Sequence, residues 1–435
     1  MKTHVILKTS PTENVRFRNS STDLIHEFVI GDYNTQESIQ ETCLTQLEGK
    51  GLVPSALAQD LFNLSIAVFA ADKRSSRKHT ADGWTRDIVL HVPVSNAPLW
   101  RSASTHVLNC LSFLTGDSWS VHFRARTDTP RSLQAELAFE TPPAVCLFSG
   151  GLDSFIGAID LIAEHKKVML VGHYDHGSVS GPQRSAARVL QTKYGKRVTP
   201  LSLRVELPRD GRTVERTTRG RSFLFIALGV LVSSAYPQPP ALFIPENGLI
   251  ALNVPLTGSR SGSLSTRTTH PYYIASYQNL LNAIGLNVNL ELPYRFHTKG
   301  EMLRGCADQQ LLRERFRATM SCAHPGVGRY DKKSARDHCG YCLPCLIRRA
   351  SLLAAGMAQR EKYFIRDLKR NPPSPLLKRG EDIRAVRMAV ARSQKLNEPQ
   401  ALFEVLAAGP IPNPTERLEY ARVYMRGLKE LDALF

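Results

Sequence analysis

Three things are scarce in this chain, and each scarcity excludes a class of protein. Cysteine is the first: eight in 435 residues is far below the density of a disulfide scaffold, and a chain this long can bury a core without cross-links. Long apolar runs are the second. The longest, Phe223–Val232, has ten residues, whereas a helix crossing a bilayer needs about 20, so this run reads as a buried core element with no membrane role. Acidic residues are the third: 39 Asp and Glu stand against 56 Lys and Arg, a net charge of +17. Such a surplus speaks to partners rather than fold, and leaves nucleic acid, nucleotides, acidic small molecules or an acidic protein in play. There is also no G-x-x-x-x-G-K-[ST] string, which excludes a Walker-type γ-phosphate enzyme, and no internal sequence repeat. The opening MKTHVILKTSPTENVRF has only Val5-Ile6-Leu7 as an apolar stretch. It lacks a signal-peptide core, and the expectation is a strand opening a soluble, cytoplasmic protein.

What is present is ordinary globular composition, 42% hydrophobic and 22% charged, which argues against bulk disorder and against a coiled coil. The length predicts roughly two or three domains. Residues 1–140 read as an N-terminal α+β domain, fitted to partner or substrate recognition. It has a helix over Leu52–Ala71, a strand over Trp84–Val92, a helix over Ala97–Leu114 and a strand over Trp119–Phe123. From Ala144 the rhythm changes. Strands at Ala144–Phe148, Lys167–Gly172, Val198–Val205 and Ala241–Pro245 alternate with helices at Ser154–His165, Gln183–Tyr194 and Ser222–Tyr236, and Asn287–Leu292 is a candidate fifth strand. That alternation predicts a doubly wound parallel α/β sheet over residues 141–350, with its ligand outside the carboxyl ends of the strands. Residues 351–435 read as a helical C-terminal region, with Pro-rich Asn371–Leu377 as a turn or linker.

The strongest short signal is Ser149-Gly150-Gly151-Leu152-Asp153-Ser154, between the first strand of the sheet and a helix. Two glycines let the backbone turn sharply and approach a ligand. The freed N–H groups and the helix N-terminus then form an anion nest suited to a pyrophosphate. Ser149 and Ser154 offer hydroxyls to phosphate oxygens, while Asp153 either orients the loop or holds Mg²⁺. A tight turn with an N-capping Asp or Ser is the structural alternative. The second signal is Cys339-Gly340-Tyr341-Cys342-Leu343-Pro344-Cys345, with Cys322 upstream. Four thiolates at this spacing fit a closed, structural Zn²⁺ site, with an Fe–S cluster or reduced thiols as the alternatives. Cys43, Cys110, Cys146 and Cys306 are expected in the core.

The loop resembles the PP-loop of ATP pyrophosphatases, the adenine nucleotide α-hydrolase-like enzymes that transfer AMP to a substrate oxygen. Together with Thr319-Met320-Ser321-Cys322, His338-Cys339-Gly340-x-Cys342-x-x-Cys345 and Arg348-Arg349, it is similar to the QueC family, the 7-cyano-7-deazaguanine synthases. Tyr174-Asp175-His176-Gly177, Arg221-Ser222 and His297-Thr298-Lys299-Gly300-Glu301 resemble further QueC segments. The likeness spans residues 144–350. The resemblance implies activation of a 7-carboxy-7-deazaguanine carboxylate by ATP, with ammonia then giving an amide and a second activation the nitrile.

Other features depart from QueC: the N-terminal extension, the long interval between Cys322 and Cys339, Glu246-Asn247-Gly248, and the string Ser263 to Pro271. The N-terminal extension with Asp82-Gly83-Trp84-Thr85-Arg86-Asp87-Ile88, the Glu-Asn-Gly element and the Ser-Thr-Arg-Thr-Thr-His-Pro string resemble the QatC family, the QueC-like proteins of the Qat anti-phage defence system. That resemblance implies conjugation of the 7-deazaguanine to an amine of a protein partner. Within it, Asp153, Ser154 and Lys299 are the catalytic candidates. Ser149, Gly150, Gly151, Tyr174 and Arg221 join Asp153 and Ser154 as ATP-binding candidates. Glu246, Asn247, Arg267 and His270 are the substrate candidates.

Each has a plainer reading. Glu246 either reads a guanine-like edge, where a carboxylate accepts two N–H donors, or caps a loop. Tyr174 stacks on a base or packs in the core, and Lys299 meets phosphate or is solvated. Gly258–His270, with seven Ser or Thr in 13 residues, is a lid or a solvated loop. Arginines between Arg204 and Arg221, and Lys332, Lys333, Arg336, Arg348 and Arg349, either draw ATP or form a solvated basic face. Without interleaved aromatics they are a weak nucleic-acid signal. The competing functions are a PP-loop tRNA-modifying enzyme, a nitrile-forming synthase, and a nucleotide-binding scaffold of a defence complex.

Overall fold

The computed structural model describes the chain except residues 32–34, 132–142, 176, 209–214, 216, 218, 257–266, 328–336 and 375. Ten strands form one sheet: β1 (Thr3–Lys8), β2 (Leu24–Ile30), β3 (Ser38–Glu41), β4 (Asp87–Val94), β5 (Ser118–Ala125), β6 (Ala144–Leu147), β7 (Val168–Tyr174), β8 (Val198–Glu206), β9 (Leu242–Phe243) and β10 (Leu290–Glu291). Their order is β10-β9-β6-β7-β8-β3-β2-β1-β4-β5. Every neighbouring pair is parallel except β3 with β8, where Gln40 faces Glu206 and Glu41 faces Val205. The sheet is thus mostly parallel, and the chain is an α/β protein with a helical C-terminal region.

Residues 1–140, expected as a separate α+β domain, contribute β1–β5 to the same sheet. The sequence shows no repeat, yet the strand order of one half, β3-β2-β1-β4-β5, recurs as β8-β7-β6-β9-β10 in the other. The central strands are buried from end to end, β1 (THVILK) and β6 (AVCL) alike, as parallel strands covered on both faces are.

Side-chain alternation sorts β6 and β7 between two cores. Val145, Leu147, Met169 and Val171 face a core containing the helices Ala56–Arg74, Arg219–Ser233 and Pro271–Ala283. Ala144, Cys146, Val168 and Leu170 face the helix Leu152–Glu164 and part of Gly177–Tyr194. The first core takes in Val5, Leu7, Phe28, Leu90 and Val92 of the N-terminal strands as well, so hydrophobic packing, not the seam alone, joins the halves. The helix Ala56–Arg74 begins at Ser55, whose side chain accepts from Ala58 N, and carries Lys73 and Arg74 in its last turn, where cations suit the helix dipole.

A third core gathers the C-terminal helices Glu381–Ser393, Glu398–Ala408 and Arg417–Asp432 around Leu343–Ala354 and the cysteines. Among the described residues no helix is long and apolar enough to cross a membrane.

Candidate functional site

The sheet reverses its winding at β6, which connects to β7 on one side while β9 lies on the other. The loop Ser149–Ser154 leaves β6 there. Gly150 has φ +79°, and a Cβ on it would lie 2.6 Å from Gln183 Cα, so only glycine fits both the left-handed backbone and the close approach. Gln183, buried on the helix Gly177–Tyr194, braces the turn from behind: its Nε2 donates to Phe148 O at 2.8 Å. Two of the loop N–H groups meet hydroxyls, Gly151 N donating to Ser149 Oγ at 3.2 Å and Leu152 N to Ser321 Oγ at 3.3 Å.

In front of the loop is a cavity of about 370 Å³, within the size range of small-molecule sites. Ser149, Gly151, Asp153, Ser154, Arg221, Glu246 and Lys299 all line it. So do Thr268 and Thr269 of the Ser/Thr-rich string, Ser222, Met320 and Ser321, which the motifs did not mark as ligand residues, and the apolar Phe225, Ile226, Ile244 and Ile250.

The charges in this cavity are largely arranged against one another. Lys299 Nζ lies 3.1 Å from Asp153 Oδ1, with only 3% of the lysine side chain exposed. Asn247 Nδ2 donates to Asp153 Oδ2 at 2.7 Å. Asp153 therefore orients Lys299 and Asn247, its Oδ2 hydrogen-bonded and its Oδ1 facing the lysine in an ion pair without a hydrogen bond. Asn247 in turn caps the helix Gly248–Leu252 through Oδ1, which accepts from Ile250 N at 3.1 Å; its amide faces the protein, not the cavity.

The helix Lys299–Gly305 starts in a capping box, Thr298 with Glu301, and Glu430 of the C-terminal helix accepts from Thr298 Oγ1 and Gly300 N. The lysine is thus aimed by the far end of the chain. Arg221 Nε donates to His173 Nδ1 and its Nη2 to His173 O, both at 3.1 Å. Glu246 accepts from Thr269 Oγ1, and burial pushes its carboxyl up to about 7, against the stabilising hydroxyl.

Three expected positions fall elsewhere. Arg267 turns away from the cavity: its Nη1 donates to Phe113 O at 3.0 Å and its guanidinium stacks on the Phe113 ring at 4.6 Å. His270 is fully buried as the N-cap of Pro271–Ala283, Nδ1 accepting from Tyr272 N at 3.2 Å. Burial, and then Arg267, push its imidazole down to about 3, so it is neutral. Tyr174 ends β7 half-buried and is not in the cavity wall.

Of the Ser/Thr-rich string, residues 258–266 lie outside the described residues, as do His176, Arg209, Arg212, Arg216, Lys332, Lys333 and Arg336. The described arginines of the two basic stretches are mostly committed internally. Arg204 pairs with Glu206 at 2.5 Å, Arg219 donates to Thr115 O at 2.6 Å, and Arg348 pairs with Glu361 at 2.7 Å. Among them only Arg221 lines the cavity.

The N-terminal string Asp82–Ile88 acts through the protein interior. Arg86, buried, donates to Asp72 Oδ1 at 2.8 Å and to Asp117 Oδ2 at 2.5 Å. Asp72 accepts from Gly220 N at 2.7 Å, at the start of the helix that carries Arg221 and Ser222. Trp84 sits between the guanidiniums of Arg77 and Arg219, at 4.4 and 4.8 Å.

Next to the cavity, the ligand atoms of Cys322, Cys339, Cys342 and Cys345 lie within 4.8 Å of one another. Backbone N–H groups point at the sulfurs: Cys339 N donates to Cys322 Sγ and Cys342 N to Cys339 Sγ, each at 3.3 Å. Four soft sulfurs converging with N–H support fit a Zn²⁺ site. Compared with known proteins, the chain matches no family model and no curated protein.

Proposed function

We propose that the chain is a QueC-like, ATP-dependent enzyme. It transfers AMP to the carboxylate of 7-carboxy-7-deazaguanine and passes the activated acyl group to an amine, that of a partner protein in anti-phage defence. The observation that carries this reading is the glycine loop at the winding reversal, opening on the cavity. Its Gly151 N–H is held by a neutral hydroxyl at 3.2 Å, a long bond that a phosphate oxygen would replace with a shorter, charge-assisted one. The β- and γ-phosphates would take the nest, leaving the α-phosphate toward the cavity.

Arg221 and Lys299 supply positive charge at that wall. The apolar side of Phe225, Ile226 and Ile250 suits a planar base. Glu246, ionised, would accept the paired N–H donors of a guanine-like edge. Asp153 Oδ2 is taken by Asn247, and Oδ1 accepts no hydrogen bond but faces Lys299 at 3.1 Å, so Mg²⁺ held there would have to displace the lysine. Zn²⁺ in the cysteine site would hold the fold together and has no open position for chemistry.

A sulfur-transferring tRNA enzyme would need a reactive thiol by the loop or an Fe–S site, which a UV–visible spectrum and metal analysis would reveal. Cys146, on β6, is fully buried, and burial pushes its thiol up, which disfavours the thiol route.

The test is incubation with ATP and 7-carboxy-7-deazaguanine, following AMP and pyrophosphate, with intact-mass spectrometry of candidate partner proteins. AMP formation that Asp153→Ala abolishes is expected. An absence of AMP, or unchanged turnover in that variant, refutes the reading.

A further inference from the structure

The cysteine knuckle and the glycine loop come from distant stretches of chain, yet they are bonded to each other. Met320 N donates to Gly150 O at 2.9 Å, and Leu152 N donates to Ser321 Oγ at 3.3 Å. Both ends of this short bridge are tied to the knuckle. Ser321 precedes Cys322, and its own N–H donates to His338 Nε2 at 3.2 Å, beside Cys339. Arg348, fully buried one turn beyond Cys345, donates to Thr319 Oγ1 at 2.9 Å and to Ser321 Oγ at 3.3 Å. Pro344, between two of the cysteines, reaches the cavity wall itself.

We propose that the four-cysteine site is a positioning device for the anion-binding loop. Zn²⁺ joins Cys322 to Cys339, Cys342 and Cys345. So joined, Cys322 fixes Met320 and Ser321, which bond the Gly150 carbonyl and the Leu152 N–H of the loop. Ser321 is the positioning residue: its hydroxyl accepts from the loop and from a buried guanidinium at once, so loop and knuckle move together. Loss of metal therefore opens the phosphate seat before it unfolds the sheet. The inference rests on reading the loop as the ATP phosphate site.

The experiment measures ATP binding by calorimetry to the zinc-loaded protein, to Ser321→Ala and to Ser321→Thr, with zinc content and thermal midpoint recorded for each. Ser321→Ala is expected to bind ATP about tenfold more weakly, the loss of roughly one hydrogen bond, with its zinc retained. Ser321→Thr, which keeps the hydroxyl, should restore most of the affinity. In parallel, the chelator-treated protein is followed by amide hydrogen exchange. Faster exchange at residues 150–152 and 319–321, with β1 and β4 unchanged, is expected. Wild-type affinity in Ser321→Ala overturns the inference, as does exchange that rises throughout the sheet or nowhere. If the zinc-loaded wild type fails to bind ATP at all, the reading of the site falls and this inference falls with it. That result is distinct from equal binding by wild type and variant, which sinks the coupling alone.

Discussion

Replacing Lys299 by methionine would leave Asp153 charged, buried and half-partnered. At 3.1 Å the pair is worth about 5 kcal/mol of Coulomb attraction at an effective dielectric near 20, against which stands the cost of desolvating both groups. Removing one member of such a pair typically costs about 3–5 kcal/mol. Asn247 still donates to Asp153 at 2.7 Å, so about 3 kcal/mol is expected for Lys299→Met. Asp153→Asn strands the ammonium in the same way, at a similar cost.

The double variant Asp153→Asn/Lys299→Met carries no unpaired charge and should be less destabilised than the sum of the singles by about 2 kcal/mol. Urea titration followed by circular dichroism of the four proteins measures this coupling. Sums that agree within about 0.5 kcal/mol would show that the two groups do not form a buried ion pair, and Lys299 would then be free for another role.

Gly150→Ala should abolish ATP binding and destabilise the chain by a few kcal/mol, because φ +79° and a Cβ 2.6 Å from Gln183 Cα both oppose it; calorimetry and a melting curve check it, and wild-type ATP affinity counts against it. Cys342→Ser should lose zinc and lower the thermal midpoint, since metal affinity at such a site is folding free energy; elemental analysis beside a melt decides it, and a zinc-free protein with the wild-type midpoint is the adverse outcome. Stability should also fall as the pH drops below about 6.5. Burial first, then the neighbouring imidazoles of His122 and His4, pushes His91 down to about 4, and burial pushes His270 down to about 3. The unfolded chain therefore binds protons that the native one refuses. By pH 4 the loss is on the order of 3 kcal/mol for each, and His270→Asn, which keeps an N-cap, should flatten that limb in a pH series of urea titrations.

The alternation of apolar strand and helix between residues 144 and 245 was enough to read β6, β7 and β8 within about two residues, because each strand is a local apolar run. The glycine loop and the cysteine set were legible for the same reason: their chemistry is written in consecutive residues. The union of the two halves was not, since it depends on the β3–β8 pairing of Gln40 and Glu41 with Glu206 and Val205 and on helix packing across a long sequence separation. Nor could adjacency reveal direction at Arg267 to His270. Thr268 and Thr269 line the cavity, but Arg267 finds Phe113, and His270 precedes Pro271, so it serves the helix start. The fully buried β1 was a hint of a central parallel strand that the Val5-Ile6-Leu7 run only partly disclosed.

The antiparallel seam decides which parts of the N-terminal half can meet a substrate. Since β3 runs opposite to β8, the carboxyl ends of β1, β2, β4 and β5 open on the far edge of the sheet from the cavity, about 20 Å away, the span of a six-residue strand. The beginnings of β1, β2, β4 and β5, with the Asp82–Asp87 turn and the helix ends at Asp72 and Thr115, lie on the cavity's side. Under the proposed function, a macromolecule delivering an amine would have to approach from that side, and anything bound at the opposite edge would be out of reach of the cavity.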